Sequence, residues 1–109
     1  MERSSPPLNI EVMRVAAGEA TCVLRVLANP ERLLLLCQLS QGEKSVGELE
    51  ALVGISQPTL SQQLGVLRTE GLVNTRREGK YIYYSVDDPK VLTLLTCLYD
   101  LYCPKDQRP

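Results

Sequence analysis

The 109-residue chain contains no histidine, no tryptophan and no phenylalanine. Without histidine there is no imidazole general base, and the commonest nitrogen ligand for zinc is missing. Without Phe or Trp the core has to be built from Leu, Val and Ile, a composition that suits helices better than a sandwich. The four cysteines, Cys22, Cys37, Cys97 and Cys103, form no C-x-x-C pair, so the dithiol pattern of thiol oxidoreductases is absent. No glycine-rich phosphate loop is present either. These absences argue against an enzyme and leave no motif for a metal or an organic cofactor.

Long apolar runs are missing too. The longest, Leu33 to Cys37, is far too short to cross a bilayer. Ser4-Ser5-Pro6-Pro7 stands where the apolar core of a secretory signal would lie. We expect a cytoplasmic protein with no membrane partner, whose thiols stay reduced. The length allows one domain, and a chain this small gains from sharing a core with a second copy. Net charge is only −1, which gives no overall attraction to nucleic acid, but its distribution is uneven. Arg68, Arg76, Arg77 and Lys80 fall within thirteen positions that hold only two acids, Glu70 and Glu78. A basic tip on an acidic body suits a protein that touches phosphates with one small part.

Residues 1–8 read as a disordered arm and 104–109 as a tail, bracketing a single domain over 9–103. Apolar residues recur at helical spacing from Asn9 to Ala28, with Met13, Ala16, Ala17, Ala20, Leu24 and Leu27 on one side (α1). Asn29-Pro30 breaks that helix and starts another, running to about Ser40 (α2). Leu33 to Leu36, Cys37 and Leu39 make it apolar almost all round, hence central. Ser45-Val46-Gly47-Glu48 is a capping box opening a short helix to about Val53 (α3). Gly54 closes it. Ser56 is placed to cap the next helix, which has Pro58 in its first turn and runs to Glu70 (α4), with Gly71 as its left-handed cap.

Leu60, Leu64 and Leu67 give α4 a narrow buried stripe. Two strand-like runs follow, Leu72 to Arg76 and Tyr81 to Val86, around Arg77-Glu78-Gly79-Lys80. In the second, Ile82, Tyr84 and Val86 are expected to face inward. Asp87-Asp88-Pro89 opens a last helix to about Cys103 (α5). The expected fold is therefore mostly α with a β-hairpin wing, a winged helix-turn-helix in the order α1-α2-α3-α4-β-β-α5.

Two short helices joined by a tight turn, the second opening on small polar side chains, describe a helix-turn-helix. Gln57 and Gln62 suit bidentate contacts to adenine in the major groove, and Thr59 and Ser61 are less discriminating. Ser56 and Gln63 belong to the same cluster. Arg68, Arg76, Arg77 and Lys80 are placed to hold phosphates or enter the minor groove. The same residues would also serve simply as a solvated helix start; the basic hairpin directly after them favours DNA.

The segment from Ser45 to Val86, with its S-x-P-T-x-S-x-x-L run followed by L-R-x-x-G-L-V, resembles the DNA-binding core of ArsR/SmtB-family repressors. Leu27-Ala28-Asn29-Pro30-Glu31-Arg32-Leu33 resembles the same family around the start of its second helix. The resemblance implies a homodimer through α1 and α5 that binds an inverted repeat in double-stranded operator DNA and is released by an inducer. The family's zinc sites depend on histidines, or on a cysteine pair near α3, and neither is present here. The contexts Leu36-Cys37-Gln38-Leu39 and Leu101-Tyr102-Cys103-Pro104 are similar to the subgroup of thiol- and persulfide-sensing repressors. That similarity implies that Cys37 and Cys103 react with reactive sulfur species or an oxidant to form a disulfide or polysulfide bridge. On its residue type alone Cys37 reads sooner as an inert core thiol than as a reactive one. A thiophilic metal sensor using the same two cysteines, and a module that binds only protein, are the other readings. Cys22 and Cys97 read as packing residues.

Overall fold

The structure is a computed structural model that describes residues 9–104; the expected arm over 1–8 and all but the first residue of the expected tail lie outside that range. Five helices and three short strands follow one another as α1 (Ile10–Leu27), α2 (Pro30–Leu39), β1 (Lys44–Ser45), α3 (Val46–Val53), α4 (Gln57–Thr69), β2 (Asn74–Glu78), β3 (Tyr81–Ser85) and α5 (Pro89–Tyr102). The winged helix-turn-helix is therefore present, with one strand more than the sequence suggested.

Local chemistry sets most of these boundaries. Asn9, Asn29 and Asp88 each accept backbone N–H bonds at the start of a helix, and Pro30 and Pro89 follow the last two where a missing N–H has no consequence. The α3 capping box closes in both directions: Ser45 Oγ accepts from the Glu48 amide at 3.2 Å, and the Ser45 amide donates to Glu48 Oε1 at 2.8 Å. After α4, Gly71 sits at φ 79°. Its amide donates to the Arg68 carbonyl and the Leu72 amide to that of Leu67, which is the Schellman pattern. This is why β2 starts at Asn74 and not at Leu72. Leu72 completes the cap against Leu67, and Leu72 and Val73 are both buried in the core.

Strand order is β1-β3-β2, all antiparallel. Glu78 pairs with Tyr81, leaving a two-residue turn of Gly79 and Lys80 with positive φ only at the glycine, a geometry that matches the strands' twist. Val86 is buried and Ile82 and Tyr84 are half-buried, as alternation predicts, but Tyr83 and Ser85 are half-buried too. The added strand explains Tyr83: Ser45 pairs with it on one side, and Arg76 lies over its ring.

The core is a leucine cluster. Leu35, Leu36 and Leu39 of α2, Leu49 of α3, Leu60, Leu64 and Leu67 of α4 and Leu95 of α5 are essentially inaccessible. Leu34, in the middle of the apolar run of α2, instead faces outward, since four consecutive helical residues turn through more than one face. Helix α1 behaves differently from the rest. Only Val26 and Leu27 are buried, whereas Met13 and Leu24 of the expected stripe, and Ile10, Val12 and Val15 beside it, are exposed. The radius of gyration is 16.5 Å, against about 13 Å for a compact chain of this size. One chain leaves much of α1 uncovered.

Truncating the stripe of α4 removes packing from the center of this cluster. Leu64→Ala is expected to lower the unfolding free energy by about 2–5 kcal/mol, measured by urea denaturation at fixed protein concentration.

Candidate nucleic-acid interface and thiol pocket

The connection from Gly54 to Ser56 turns α3 into α4, with Gly54 at φ 69°. Ser56 occupies the N-cap position of α4, but its side chain accepts no cap hydrogen bond, contrary to the expected capping role. Because Leu60, Leu64 and Leu67 hold one face against the core, the helical period turns Ser61 and Gln62 outward. Ser56, Gln57, Ser61, Gln62 and Arg68 are exposed, whereas Thr59 and Gln63 are half-buried on the opposite flank. Ser61 Oγ donates to Gln57 Oε1 at 3.2 Å, ordering two of the exposed polar groups.

Gln63 is committed elsewhere. Its Oε1 accepts from Arg32 Nη1 at 3.1 Å, and the same guanidinium donates through Nε to the Val26 carbonyl at 2.7 Å. Arg32 therefore ties the end of α1 to the flank of α4. The sequence offered no sign of this, because position 32 reads only as the first turn of a helix. Gly65, also not singled out by sequence, lies on the exposed face, and no internal contact requires glycine there. It leaves a bare patch beside Gln62.

On the wing the basic residues separate into two kinds. Arg77 and Lys80 have no carboxylate in salt-bridge reach among the described residues; Lys80 Nζ lies 5.7 Å from the Tyr81 ring centroid. Arg76 is paired twice. Its Nε and Nη2 each donate at 2.8 Å to the two oxygens of Glu43, and Nη1 donates to Glu78 at 3.0 Å. These hydrogen bonds hold the Glu43 carboxyl below its ordinary range and raise Arg76 further above its own. Glu43 is a third residue that sequence reasoning missed, since its partner lies on a distant strand.

Cys37 and Cys103, far apart in sequence, open on the same pocket of about 360 Å³ between α2 and the end of α5. Gln38, Ser40, Gln41 and Thr96 give it a polar side. Both cysteines also border an apolar hollow with Leu33, Leu98 and Tyr102. The carbonyl of Cys37 accepts from Ser40 Oγ at 2.6 Å, and the Cys103 amide donates to the Tyr99 carbonyl at 2.9 Å as α5 ends. Burial, with a smaller contribution from the neighboring Cys103, pushes the Cys37 thiol above its ordinary range. Cys37 is half-buried and so neither the sealed core thiol nor a fully open one. Among the described residues no three Cys, Asp or Glu side chains converge as a metal site. Cys22 and Cys97 are exposed, and Cys97 borders an apolar groove between α1 and α5 with Ala16, Ala20 and Leu94.

Comparison with known proteins accords with this geometry. Residues 29–75, from the start of α2 into β2, match the family described as "Bacterial regulatory protein, arsR family". The chain is 50% identical over 98 residues to the biofilm growth-associated repressor of Agrobacterium fabrum, covering 90% of this chain and 84% of that one. It is 40% identical over 101 residues to the transcriptional activator HlyU of Vibrio cholerae, covering 93% and 94% respectively. The crystal structure of the transcriptional repressor BigR from Xylella fastidiosa superposes with a TM-score of 0.82 at 48% identity, covering 90% of this chain and all of that one.

The raised Cys37 thiol has a kinetic consequence, because the thiolate is the nucleophile. With the other three cysteines changed to serine, alkylation of Cys37 by iodoacetamide should still accelerate as pH rises past 9, the ordinary midpoint for a thiol. Peptide mass spectrometry across a pH series reads this rate, and a plateau at or below pH 9 would contradict it.

Proposed function

Because this chain belongs to the arsR family of bacterial regulatory proteins, we propose that it is a dimeric repressor whose hold on operator DNA is switched by sulfur chemistry at Cys37 and Cys103. That it is a transcription regulator follows from the family and from the breadth of the match. In this reading the exposed face of α4 enters the major groove, where Gln57, Ser61 and Gln62 meet base edges. Arg68, Arg77 and Lys80 hold the flanking phosphates. Pairing of two chains through α1 and α5 covers Ile10, Val12, Met13 and the apolar groove beside Cys97, and sets the two reading helices on an inverted repeat about 34 Å apart.

The observation that carries the switch is the shared pocket, which brings a cysteine of α2 and one at the end of α5 to the same space. A persulfide donor RSSH passes its outer sulfur to a cysteine thiolate, releasing RSH and leaving a cysteine persulfide. Attack by the second thiolate on the inner sulfur closes a disulfide and expels H₂S. If both cysteines carry persulfides, closure expels H₂S and leaves a trisulfide. Either bridge would fasten α2 to the dimer helix, and a longer one reaches across a wider gap than the 4.4–6.8 Å Cα separation usual for a disulfide.

The test exposes reduced protein, bound to a duplex it has selected from a randomized pool, to a persulfide donor, hydrogen peroxide and thiophilic metal ions in parallel. Release by the persulfide should coincide with a bridge between the peptides of Cys37 and Cys103, either a disulfide or a trisulfide that retains one added sulfur, and Cys37→Ser and Cys103→Ser should stay bound. Release that persists in either variant would contradict the switch. Release by a metal ion alone would favor the metal-sensing alternative. Failure to bind any duplex at low salt would remove the DNA reading.

A further inference from the structure

We propose that Arg76 is a positioning residue that latches the wing to the α2–β1 loop, and not one of the phosphate ligands its charge suggests. This rests on the DNA reading above. Arg76 leaves β2, crosses the central strand over Tyr83 with its guanidinium carbon 4.7 Å from the ring centroid, and reaches Glu43 just before β1. One side chain thus spans all three strands. Its fork meets both oxygens of Glu43 at 2.8 Å, the bidentate geometry in which arginine binds most firmly, and its remaining terminal nitrogen meets Glu78 at 3.0 Å.

A DNA phosphate would have to displace two carboxylates and a ring to claim this guanidinium. Arg77 and Lys80 have no such competitors among the described residues and lie at the hairpin end, where the wing projects. A simple surface pair contributes little by itself, but here it fixes an angle. Strand β1 pairs only with β3, through two residues, so Arg76 ties the outer strand β2 directly to the α2–β1 loop. The loop that carries Glu43 follows directly on Ser40 and Gln41, which wall the thiol pocket. The latch therefore attaches the wing to the segment beside Cys37.

Salt dependence separates a latch from a phosphate ligand, because each phosphate contact contributes about 0.9 to the slope of log affinity against log salt. The measurement uses the reduced full chain and the duplex it selects from a randomized pool. Arg76→Gln should bind about three- to tenfold more weakly with the wild-type slope, whereas Arg77→Gln and Lys80→Gln should each lose about 1.8 of slope, about 0.9 from each chain of the dimer. Glu43→Gln should weaken binding to the same degree, and the double variant with Arg76→Gln should be no weaker than either single one.

A slope reduced by about 1.8 in Arg76→Gln, about 0.9 from each chain of the dimer, would overturn the latch. So would tighter, steeper binding by Glu43→Gln, which would mean that freeing Arg76 hands it to DNA, or unchanged affinity in both variants. Glu43→Gln alone decides the matter if Arg76→Gln does not fold. Wild-type protein that selects no duplex would overturn the DNA reading, and the latch with it.

Discussion

The leucine packing between α2 and α4 is what the other features depend on. Leu35, Leu36 and Leu39 on one helix and Leu60, Leu64 and Leu67 on the other are closed to solvent in a single cluster. Interiors this dense transmit displacement and do not absorb it. The helix that carries Cys37 is thereby fixed to the helix that carries Gln57, Ser61 and Gln62. Arg32 adds a polar tie on the same axis, joining the end of α1 to Gln63. The thiol pocket and the exposed polar face of α4 are thus held in one rigid arrangement.

Charge is arranged to complement that frame. The body is acidic, and the exposed cations at the hairpin end and the last turn of α4 form the part suited to a polyanion. Not every basic side chain there is available. Arg76 is neutralized by Glu43 and Glu78, which makes the wing's effective charge smaller than a residue count suggests. In the proposed complex with DNA, partial neutralization would lower affinity for arbitrary sequences, because phosphate contacts carry no sequence information. Base-edge contacts on α4 would then account for a larger share of discrimination.

Features written in adjacent residues were legible before the structure was seen. Ser45 with Glu48, Asn29 with Pro30, Asp88 with Pro89, and Gly71 after α4 each encode a helix end through a local hydrogen bond or a backbone preference. The stripe of Leu60, Leu64 and Leu67 fixed which face of α4 turns out. Pairings across the chain were not legible. Strand β1 has only two residues and exists because β3 lies beside it. The bond from Arg32 to the oxygen of Gln63 joins positions thirty-one apart. Glu43 and Arg76 meet only because the sheet folds them together. The convergence of Cys37 and Cys103 was suggested by resemblance and not by spacing, and the pocket gives it a physical basis.

In the proposed mechanism, sulfur chemistry between α2 and α5 changes how the two reading helices of a dimer are set. The direct measurement is a pulsed electron–electron distance between spin labels attached through a keto-bearing residue at position 69, exposed at the end of α4, which leaves every cysteine and Arg68 in place. Reduced protein should give a single narrow distribution, and persulfide treatment should shift or broaden it as operator affinity falls. Identical distributions before and after, with the Cys37–Cys103 bridge formed and DNA released, would contradict this mechanism.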